Sequence, residues 1–526
     1  MVELLLLTGF VLLAFNVNRY LHIMQQAFYN FTDYMPTLKN TRKLGINVSE
    51  IFLFVLFILT LITKSNALYI MWGIVTMISF IYEIKNKPQA KKKFNITKRV
   101  KIIYTLLYLI LSAMILVVVM GISRKNYIPY YILFALLSLN KHFAILMVAI
   151  ANALAKPINS LFNRKYINEA KKILKEKPDM KIIGITGSYG KTSTKNIVSA
   201  ILSEKYNTVM TPKSYNTTLG VVKSIRENIR PYTEVFVCEM GASRLNDIKK
   251  ICNIVKPDYS IITSIGPQHL MTFKSIENVE KGKFEIVTNS KDDALSVLNI
   301  DNEYIEDGIK KYMGSKKYIT YSLNNKKADY YVENISIDET GSSFKIVGKD
   351  ETYNIETRLL GKHNIYNIVC AVAIAHHMKI EKEKIEKAVK KLVPVEHRLE
   401  LKKMQNILVL DDSFNSNPDG SKYAIETLLM FKDKYKVLVT PGMIELGEKT
   451  YELNKKLGEY ALGCDYVVLV GQKTTKPIED ALMENNYTNY IKVKDIYEAF
   501  IKLNEIKNKH KDMLALIEND LTDSYS

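Results

Sequence analysis

The sequence is poor in the residues that stabilise small secreted domains or bind structural metal ions. Its 526 residues include only four cysteines, and these are far apart and have no histidine at the spacing of a metal ligand: Cys238, Cys252, Cys370 and Cys464. A disulfide framework and a zinc site are therefore excluded. We expect four small core residues of a protein in a reducing compartment.

The sequence also lacks a basic stretch interleaved with aromatic residues. The net charge of +19 could by itself indicate a nucleic-acid partner. Proteins that bind single strands, however, combine basic grooves with aromatic side chains on which the bases stack, and that pattern is absent here. We therefore predict no nucleic-acid partner and attribute the positive charge to a nearby membrane surface.

Long apolar runs are present only in the first 155 residues, at 4–15, 51–63, 67–82, 102–122 and 130–155. Only 102–122 is long enough to span a bilayer by itself. A turn at Lys64–Asn66 joins the second and third runs into a hairpin, and 130–155 is interrupted at Asn140–His142. The segment 16–34 is either a helix in the membrane interface or a loop.

Basic residues in the linkers 16–49 and 85–101 place both linkers on the cytoplasmic side, the second with eight Lys or Arg. Five spans with an outside N-terminus satisfy this distribution and deliver the rest of the chain into the cytoplasm. We therefore predict a multi-pass plasma-membrane protein with cytoplasmic catalytic domains and the lipid bilayer as a partner. The acidic tail, 518–526, is predicted to be disordered.

A glycine-rich turn between a buried strand and a helix begins the rest of the chain, within Gly184–Lys195. Gly187 and Gly190 allow positive φ angles that turn backbone N–H groups toward an anion, and the new helix adds its positive end. Lys191 would contact the β- and γ-phosphates, and the Thr192 hydroxyl would complete the shell of a Mg²⁺ ion. The standard phosphate loop has a further glycine six residues before the lysine. Here that position is Ile185, and the glycine stands one residue earlier, at Gly184.

Short apolar runs then alternate with helical lengths, which is typical of a parallel, doubly wound sheet. Glu239 ends a predicted strand and His269 follows another, and ligands gather at the carboxyl ends of such strands. We therefore predict that both residues bind metal. Lys283 has no distinguishing spacing, and composition alone predicts a solvated lysine on a helix. The stretch 318–359 predicts a small antiparallel addition, and a second α/β unit begins near Val395.

Seven motifs in the same order resemble the ATP-dependent Mur ligases of cell-wall peptide assembly. They are Thr-Gly-Ser-Tyr-Gly-Lys-Thr-Ser at 186–193, Glu-Met-Gly-Ala at 239–242, Gly-Pro-Gln-His-Leu at 266–270, Gly-Lys-Phe-Glu-Ile at 282–286, Leu-Asn-Ile-Asp-Asn at 298–302, Gly-Lys-His-Asn-Ile-Tyr-Asn at 361–367 and His-Arg-Leu-Glu at 397–400. The runs 411–418 and 441–447 are most similar to the member that adds D-alanyl-D-alanine. Thr217 stands where such members commonly have Asn. The small N-terminal domain that holds the UDP sugar in many members is not recognisable.

The resemblance implies a role for each matched residue. Lys191, Lys283, His269 and Arg398 are the catalytic set, and Thr192, Glu239, His269 and Lys283 hold Mg²⁺, Lys283 as a carbamylated lysine. The ATP-binding set is Gly187, Ser188, Gly190, Lys191, Thr192, Ser193, Asn299, Asn364, Asn367, Arg398 and Asp412, in which the three asparagines face the base while Arg398 and Asp412 reach phosphate and ribose.

We predict three domains: a helical membrane domain at 1–158, a central α/β phosphate-loop domain with a parallel sheet at 159–394, and a C-terminal Rossmann-like α/β domain at 395–526. The expected activity is an ATP-dependent amide ligase that adds D-alanyl-D-alanine to a nucleotide-linked muramyl tripeptide through an acyl phosphate. Cell-wall synthesis machinery is a further expected partner. Two alternatives stay open: a ligase acting on a lipid-linked or other envelope polymer precursor, and a nucleotide-gated membrane protein without ligase activity.

Overall fold

The structure, a computed structural model, describes residues 2–27, 29–40, 47–85, 94–338, 340–404, 406–413, 417–444, 446–472 and 474–519. Much of the basic linker 85–101 and most of the acidic tail 518–526 lie outside these residues. The chain divides into two compact units, Met1–Arg164 and Lys165–Ser526. Each unit has its own architecture.

The first unit is entirely helical in its described part. Its helices are α1 (Val2–Gln26), α2 (Phe31–Asn40), α3 (Val48–Thr63), α4 (Asn66–Lys85), α5 (Lys98–Ser123), α6 (Ile128–Ser138) and α7 (Asn140–Lys175), the last of which continues into the second unit. The predicted hairpin is confirmed, because α3 ends one residue before Lys64, whose φ of 52° lies in the left-handed region. The segment 16–34 is neither a single interface helix nor a loop. Its first part, up to Gln26, belongs to α1, and its last part, from Phe31, belongs to α2.

Four of the described helical segments are long and apolar enough to cross a membrane by length and composition: Leu6–Gln26, Asn66–Lys85, Lys98–Ser123 and Asn140–Lys175. The sequence predicted five spans. The difference arises at α3, whose 16 residues reach only about 24 Å. A break after Ser138 also separates α6 from α7.

Aromatic packing forms the centre of this helical unit. The ring of Phe134 meets the ring of Trp72 edge-on with centroids 4.9 Å apart, and it meets Phe57 in the same way at 5.1 Å. The indole N–H of Trp72 donates to the hydroxyl of Ser138 at 3.0 Å. The one tryptophan of the sequence is therefore buried with its polar atom satisfied.

The second unit contains two sheets, and the larger has nine strands in the order β2-β3-β1-β4-β5-β6-β7-β8-β9. Its strands are β1 (Lys181–Thr186), β2 (Thr208–Met210), β3 (Val235–Glu239), β4 (Tyr259–Ile262), β5 (Leu295–Asn299), β6 (Lys317–Ser322), β7 (Tyr330–Asp338), β8 (Gly341–Val347) and β9 (Thr352–Thr357). The pairs from β2 to β7 are parallel, whereas β8 and β9 are antiparallel. The antiparallel addition predicted at 318–359 is thus a continuation of the central sheet, and it is antiparallel only from β7 to β9, since β6 pairs in parallel with both β5 and β7.

Helices cover both faces of this sheet, which explains why its central strands are apolar throughout. They are α8 (Lys191–Leu202), α9 (Thr218–Asn228), α10 (Asp247–Val255), α11 (Leu270–Phe273), α12 (Ile276–Thr288), α13 (Glu303–Tyr312), α14 (Lys362–His377) and α15 (Lys382–Lys390). All five residues of β3 are buried. Parallel strands buried on both faces lack the alternation of a half-exposed strand.

The smaller sheet has six strands in the order β10-β11-β15-β12-β13-β14. They are β10 (Glu400–Met404), β11 (Ile407–Asp412), β12 (Tyr435–Thr440), β13 (Tyr466–Val470), β14 (Tyr490–Val493) and β15 (Met513–Glu518), with α16 (Pro418–Leu429), α17 (Thr450–Ala461), α18 (Lys476–Glu484) and α19 (Ile496–Lys509) between them. The last strand, β15, lies between β11 and β12 and is parallel to both. The chain therefore returns to the middle of this sheet at its end.

Candidate active site

The turn between β1 and α8 is a tight cradle whose shape depends on two glycines. Gly187 has a φ of 151°, and a Cβ placed on it would lie 2.0 Å from Oγ1 of Thr263. Gly190, with a φ of 80°, is the residue before the first turn of α8. Because the N-terminus of a helix has unpaired N–H groups and a positive dipole end, the cradle is suited to a phosphate group.

Lys191 follows the cradle directly and its side chain bends back over it. The Nζ atom donates to the carbonyl oxygens of Gly187 at 2.6 Å and Ser188 at 2.9 Å. Burial lowers the pKa of Lys191 to about 8, while the charge of Glu239 acts to raise it and that of Arg398 to lower it. An ammonium held at the cradle in this way can exchange two carbonyl partners for phosphate oxygens.

Glu239 ends β3 and is 1% exposed, yet both of its carboxylate oxygens are bonded. Oε2 lies 2.9 Å from Nζ of Lys195, and Oε1 accepts from Nδ2 of Asn216 at 2.9 Å. The hydroxyl of Thr192 lies 3.3 Å from both oxygens. Thr192 and Glu239, predicted to hold the same metal ion, are therefore direct neighbours.

The sequence analysis missed Lys195 and Asn216. The signal for Lys195 was its spacing, since residues four apart on a helix share a face and Lys191 stands four positions earlier. The signal for Asn216 was its place in the loop that follows the end of β2, beside the carboxyl end of the neighbouring β3.

The oxygen atoms of Thr192 and Glu239 fit a Mg²⁺ ion that is bound mainly through phosphate. Hard cations of this kind use one or two protein oxygens and complete their shell with phosphate and water. Among the described residues, no group of three or more His, Cys, Asp or Glu is arranged to hold a metal ion. The donor set is thus sparse, as it is in phosphate-loop sites and not in all-protein metal sites.

His269 and Lys283 were predicted to join this metal site. His269 precedes α11 with a φ of 53°, and its carbonyl oxygen accepts from the N–H groups of Thr272 and Phe273, both at 3.0 Å. Lys283 lies on α12 and is 1% exposed, so the solvated lysine expected from composition is wrong. Burial, together with the positive charge of Lys191, lowers the pKa of Lys283 well below that of an ordinary lysine.

A cavity of about 460 Å³ opens beside the outer face of α8. Its polar lining includes Ser193 and Asn196 on α8, Asn364 on α14, and Arg398, which lies two residues before β10. Ser193, Asn364 and Arg398 belong to the predicted ATP-binding set. The structure therefore brings these three to one cavity.

Asn299 and Asn367, from the same predicted set, have other contacts and are not among the residues that line the cavity. Oδ1 of Asn367 accepts from the hydroxyl of Thr194 at 2.9 Å, and it is 3.1 Å from the position of a Cβ on Gly190. Oδ1 of Asn299 accepts from the N–H of Asp301 at 3.0 Å. Asn367 thus supports the cradle from behind, and Asn299 supports the turn after β5.

Arg398 lies two residues before β10, and a hydrogen bond of its neighbour Leu399 ties this part of the chain to β11. Oδ1 of Asp412, at the end of β11, accepts from the N–H of Leu399 at 3.1 Å. Burial lowers the pKa of Arg398, against the raising effects of Asp412 and Glu239. Burial raises the pKa of Asp412 to about 7, aided by the charge of Glu518 and opposed by that of Arg398. The guanidinium is therefore held where its charge acts on Lys191 and Glu239.

Comparison with known families finds two adjoining matches. Residues 185–375 match the Mur ligase middle domain, and residues 397–516 match the Mur ligase, glutamate ligase domain. The two matches coincide with the two sheets of the second unit. They confirm the predicted order of a central parallel-sheet domain and a C-terminal α/β domain.

Similar curated proteins carry the name UDP-N-acetylmuramoyl-tripeptide–D-alanyl-D-alanine ligase. The protein of Bacillus subtilis is 31% identical over 330 residues, 61% of this chain and 69% of the relative. That of Buchnera aphidicola is 32% identical over 290 residues, 55% of this chain and 63% of the relative, and that of Escherichia coli is 30% identical over 299 residues, 56% of this chain and 65% of the relative. The chain thus spans roughly two thirds of the length of these relatives, in one case slightly more and in two slightly less.

Solved structures show the same fold. MurF from Acinetobacter baumannii superposes with a TM-score of 0.62 at 23% identity, over 68% of this chain and 77% of that one. MurF from Thermotoga maritima in complex with ADP gives 0.61 at 24% identity, over 68% of this chain and 80% of that one.

The predicted plasma-membrane localisation is contradicted by these comparisons, which do not test the bilayer as a partner. The finding against it is that the curated relatives are named as D-alanyl-D-alanine-adding ligases and that the solved neighbour from Acinetobacter baumannii is a MurF. The prediction rested on apolar helices, but length and composition do not distinguish a lipid-facing helix from one packed in a helical bundle. The buried share of the most apolar stretch ranges from 17% in Asn66–Lys85 and in Lys98–Ser123 to 44% in Leu6–Gln26.

Proposed function

Because this chain belongs to the Mur ligase family, we propose that it is an ATP-dependent ligase that joins D-alanyl-D-alanine to a UDP-linked muramyl tripeptide. Members of the family use ATP and Mg²⁺. The substrates are those in the names of the curated relatives. The observation that carries the proposal is the meeting of the phosphate cradle, Glu239 and Arg398 at one edge of the central sheet.

The nucleotide would lie along α8. Its phosphates would occupy the cradle of Gly187 and Gly190, with Lys191 turned from the loop carbonyls toward the β- and γ-phosphates. The adenosine would fill the 460 Å³ cavity, where Asn364 and Arg398 supply polar groups. Bound Mg²⁺, held by Thr192 and Glu239, would offset phosphate charge during the reaction.

The reaction consists of two transfers. A carboxylate oxygen of the acceptor attacks the γ-phosphorus, the bond to the bridging oxygen of ADP breaks, and an acyl phosphate forms. The amine of the dipeptide then attacks the acyl carbon and loses a proton, and phosphate leaves. The ammonium of Lys191 and the guanidinium of Arg398 stabilise the negative charge that gathers when the carboxylate meets the triphosphate.

We further propose that Lys283 acts as a carbamate. The neutral amine of a lysine adds to CO₂ and releases a proton, which gives a carbamate with one negative charge and two oxygens suited to a hard cation. The burial of Lys283 and the nearby charge of Lys191 favour the neutral amine that this addition needs. A plain ammonium at the same place would repel Mg²⁺.

Acceptor-dependent release of ADP tests this proposal. We expect the full-length protein to turn ATP over to ADP continuously only when the UDP-linked tripeptide and D-alanyl-D-alanine are both present with Mg²⁺. Omission of either substrate, or use of L-alanyl-L-alanine, provides the control. ATP binding without ADP release under any of these conditions would favour the nucleotide-gated alternative and contradict ligation.

A further inference from the structure

Two lysines on one face of α8 stand beside a single buried carboxylate. Lys191 and Lys195 are four residues apart, so their side chains leave the helix in similar directions. Thr192, the neighbour of Lys191, has its hydroxyl 3.3 Å from both oxygens of Glu239. The charge of Glu239 also acts on the ammonium of Lys191, so this carboxylate attracts both lysines.

In the structure Glu239 forms its ion pair with Lys195 and not with Lys191. Lys195 Nζ lies 2.9 Å from Oε2 of Glu239, and both side chains are 1% exposed. Lys191 Nζ donates instead to the carbonyl oxygens of Gly187 and Ser188. The two lysines thus have separate partners, one a carboxylate and the other the phosphate cradle.

Lys195 also fastens the loop that bears Asn216. Its Nζ donates to the carbonyl oxygen of Lys213 at 2.6 Å, and Nδ2 of Asn216 donates to Oε1 of Glu239 at 2.9 Å. The backbone of the same loop is bound to the end of β3, because the N–H of Gly241 donates to the carbonyl of Asn216 at 2.7 Å. One ammonium thereby joins α8, the end of β3 and the loop after β2.

We propose that Lys195 is a positioning residue: it is the dedicated counter-ion of Glu239, and by occupying that carboxylate it leaves Lys191 free to bind the phosphates of ATP. A buried carboxylate that loses its partner is strongly unfavourable and turns to the nearest cation. Two other cations on which the charge of Glu239 acts are Lys191 and Arg398. Lys191 lies on the same helix face as Lys195, and its capture by Glu239 would draw the ammonium away from the cradle.

This inference rests on the proposed nucleotide site and is tested on the full-length protein by ATP binding in EDTA. Under these conditions neither metal nor turnover contributes. We expect Lys195→Met to weaken ATP binding at least tenfold. Lys195→Arg, which keeps the charge, should stay within threefold of wild type. The matched control is Lys205→Met, since the exposed Lys205 donates only to the carbonyl of Lys379 in the described contacts, and it should bind ATP normally.

The decisive result is the double variant with Glu239→Gln, which removes the carboxylate that would capture Lys191. Lys195→Met/Glu239→Gln should bind ATP within threefold of Glu239→Gln alone, a strongly non-additive result. A role of Lys195 that does not act through Glu239, such as its bond to the Lys213 carbonyl alone, predicts the same tenfold loss in both backgrounds and would overturn the inference. Normal ATP binding by Lys195→Met would also overturn it.

Thermal unfolding of each variant shows whether the measurement concerns a folded protein. If Lys195→Met does not fold, Lys195→Gln takes its place, because an amide can still donate to the Lys213 carbonyl but carries no charge. The same expectations and the same contrary results apply to it. Failure of the wild-type protein to bind ATP would contradict the proposed function, whereas additive variants of an ATP-binding wild type would contradict only the role of Lys195.

Discussion

The Nζ atom of Lys191 lies 2.6 Å from the carbonyl oxygen of Gly187, so this lysine bends back over the loop that precedes it. A neutral carbonyl is a weaker partner for an ammonium than a charged phosphate oxygen. Bound ATP would therefore draw the ammonium to itself with little movement of the side chain. Lys191 is preorganised for phosphate by contacts that it can give up.

Replacement of Lys191 by alanine should abolish ligation while leaving the fold intact. The lost interaction stabilises charge that develops in the transition state and contributes little to packing. We expect ADP release to fall at least a hundredfold, or about 2.7 kcal/mol in barrier height. The unfolding temperature should change little. Near-normal ADP release by the alanine variant would show that Lys191 does not contact the phosphates.

ATP binding in the absence of metal should weaken as the pH rises through about 8. The pKa of Lys191 in the free protein is lowered to about 8, mainly by burial. Phosphate binding favours the protonated lysine and raises its pKa in the complex, so the association constant falls once the free lysine loses its proton. Titration from pH 7 to 10 should show this decline. In Lys191→Met the decline should disappear, and a wild-type profile that stays flat to pH 10 would contradict the assignment.

Gly187→Ala should disrupt the cradle more than alanine at another glycine of positive φ. A Cβ on Gly187 would lie 2.0 Å from Oγ1 of Thr263, whereas Gly471, with a φ of 83°, has nothing within 4 Å of that position. Gly471→Ala carries only the backbone strain of about 1–2 kcal/mol. We expect Gly187→Ala to lose ATP binding at least tenfold, measured by calorimetry, and Gly471→Ala to retain it. Equal affinities of the two variants for ATP would show that the cradle does not bind the nucleotide.

Replacement of Lys283 by arginine or alanine should remove most of the activity. Arginine keeps the positive charge but forms no carbamate, and alanine has no amine at all. Acetate or formate should partly restore the alanine variant by supplying oxygens at the vacated place, and ADP release in the presence of both substrates measures the rescue. Chloride at the same ionic strength is the control.

An arginine variant with full activity would argue against the carbamate. So would electron density for a plain lysine in crystals grown with bicarbonate, Mg²⁺ and ATP. Either result would leave Lys283 as a buried lysine without a role in metal binding.

Strong periodic patterns made much of the fold predictable. The strands β5, β13 and β14 coincide with short apolar runs that the sequence bounds clearly, at Leu295–Asn299, Tyr466–Val470 and Tyr490–Val493. β15 was missed: Met513–Glu518 is as apolar as the other central strands, but it stands at the end of the chain beside an acidic tail, where local sequence suggests disorder. Its place between β11 and β12 is a property of the whole sheet and not of the segment.

The candidate site was predictable where a sequence motif determines the backbone conformation. It was less predictable where two contacting residues are far apart in the sequence. Spacing alone pointed to Lys191 and Thr192. The pairing of Lys195 with Glu239 joins residues 44 positions apart, and it exists only because β1 and β3 are neighbours in the sheet. Burial of Lys283 was likewise invisible, since a lysine on an amphipathic helix is ordinarily placed on the solvated face.

The mass of the reaction product tests the central claim most directly. The full-length protein is incubated with ATP, Mg²⁺, UDP-linked muramyl tripeptide and D-alanyl-D-alanine, and the nucleotide-linked products are weighed by mass spectrometry. Ligation predicts a product heavier than the tripeptide acceptor by one dipeptide less one water, formed together with one ADP and one phosphate. It also predicts that Lys191→Ala yields no such product. An unchanged acceptor mass with the wild-type protein, under conditions in which it binds ATP, would contradict the account.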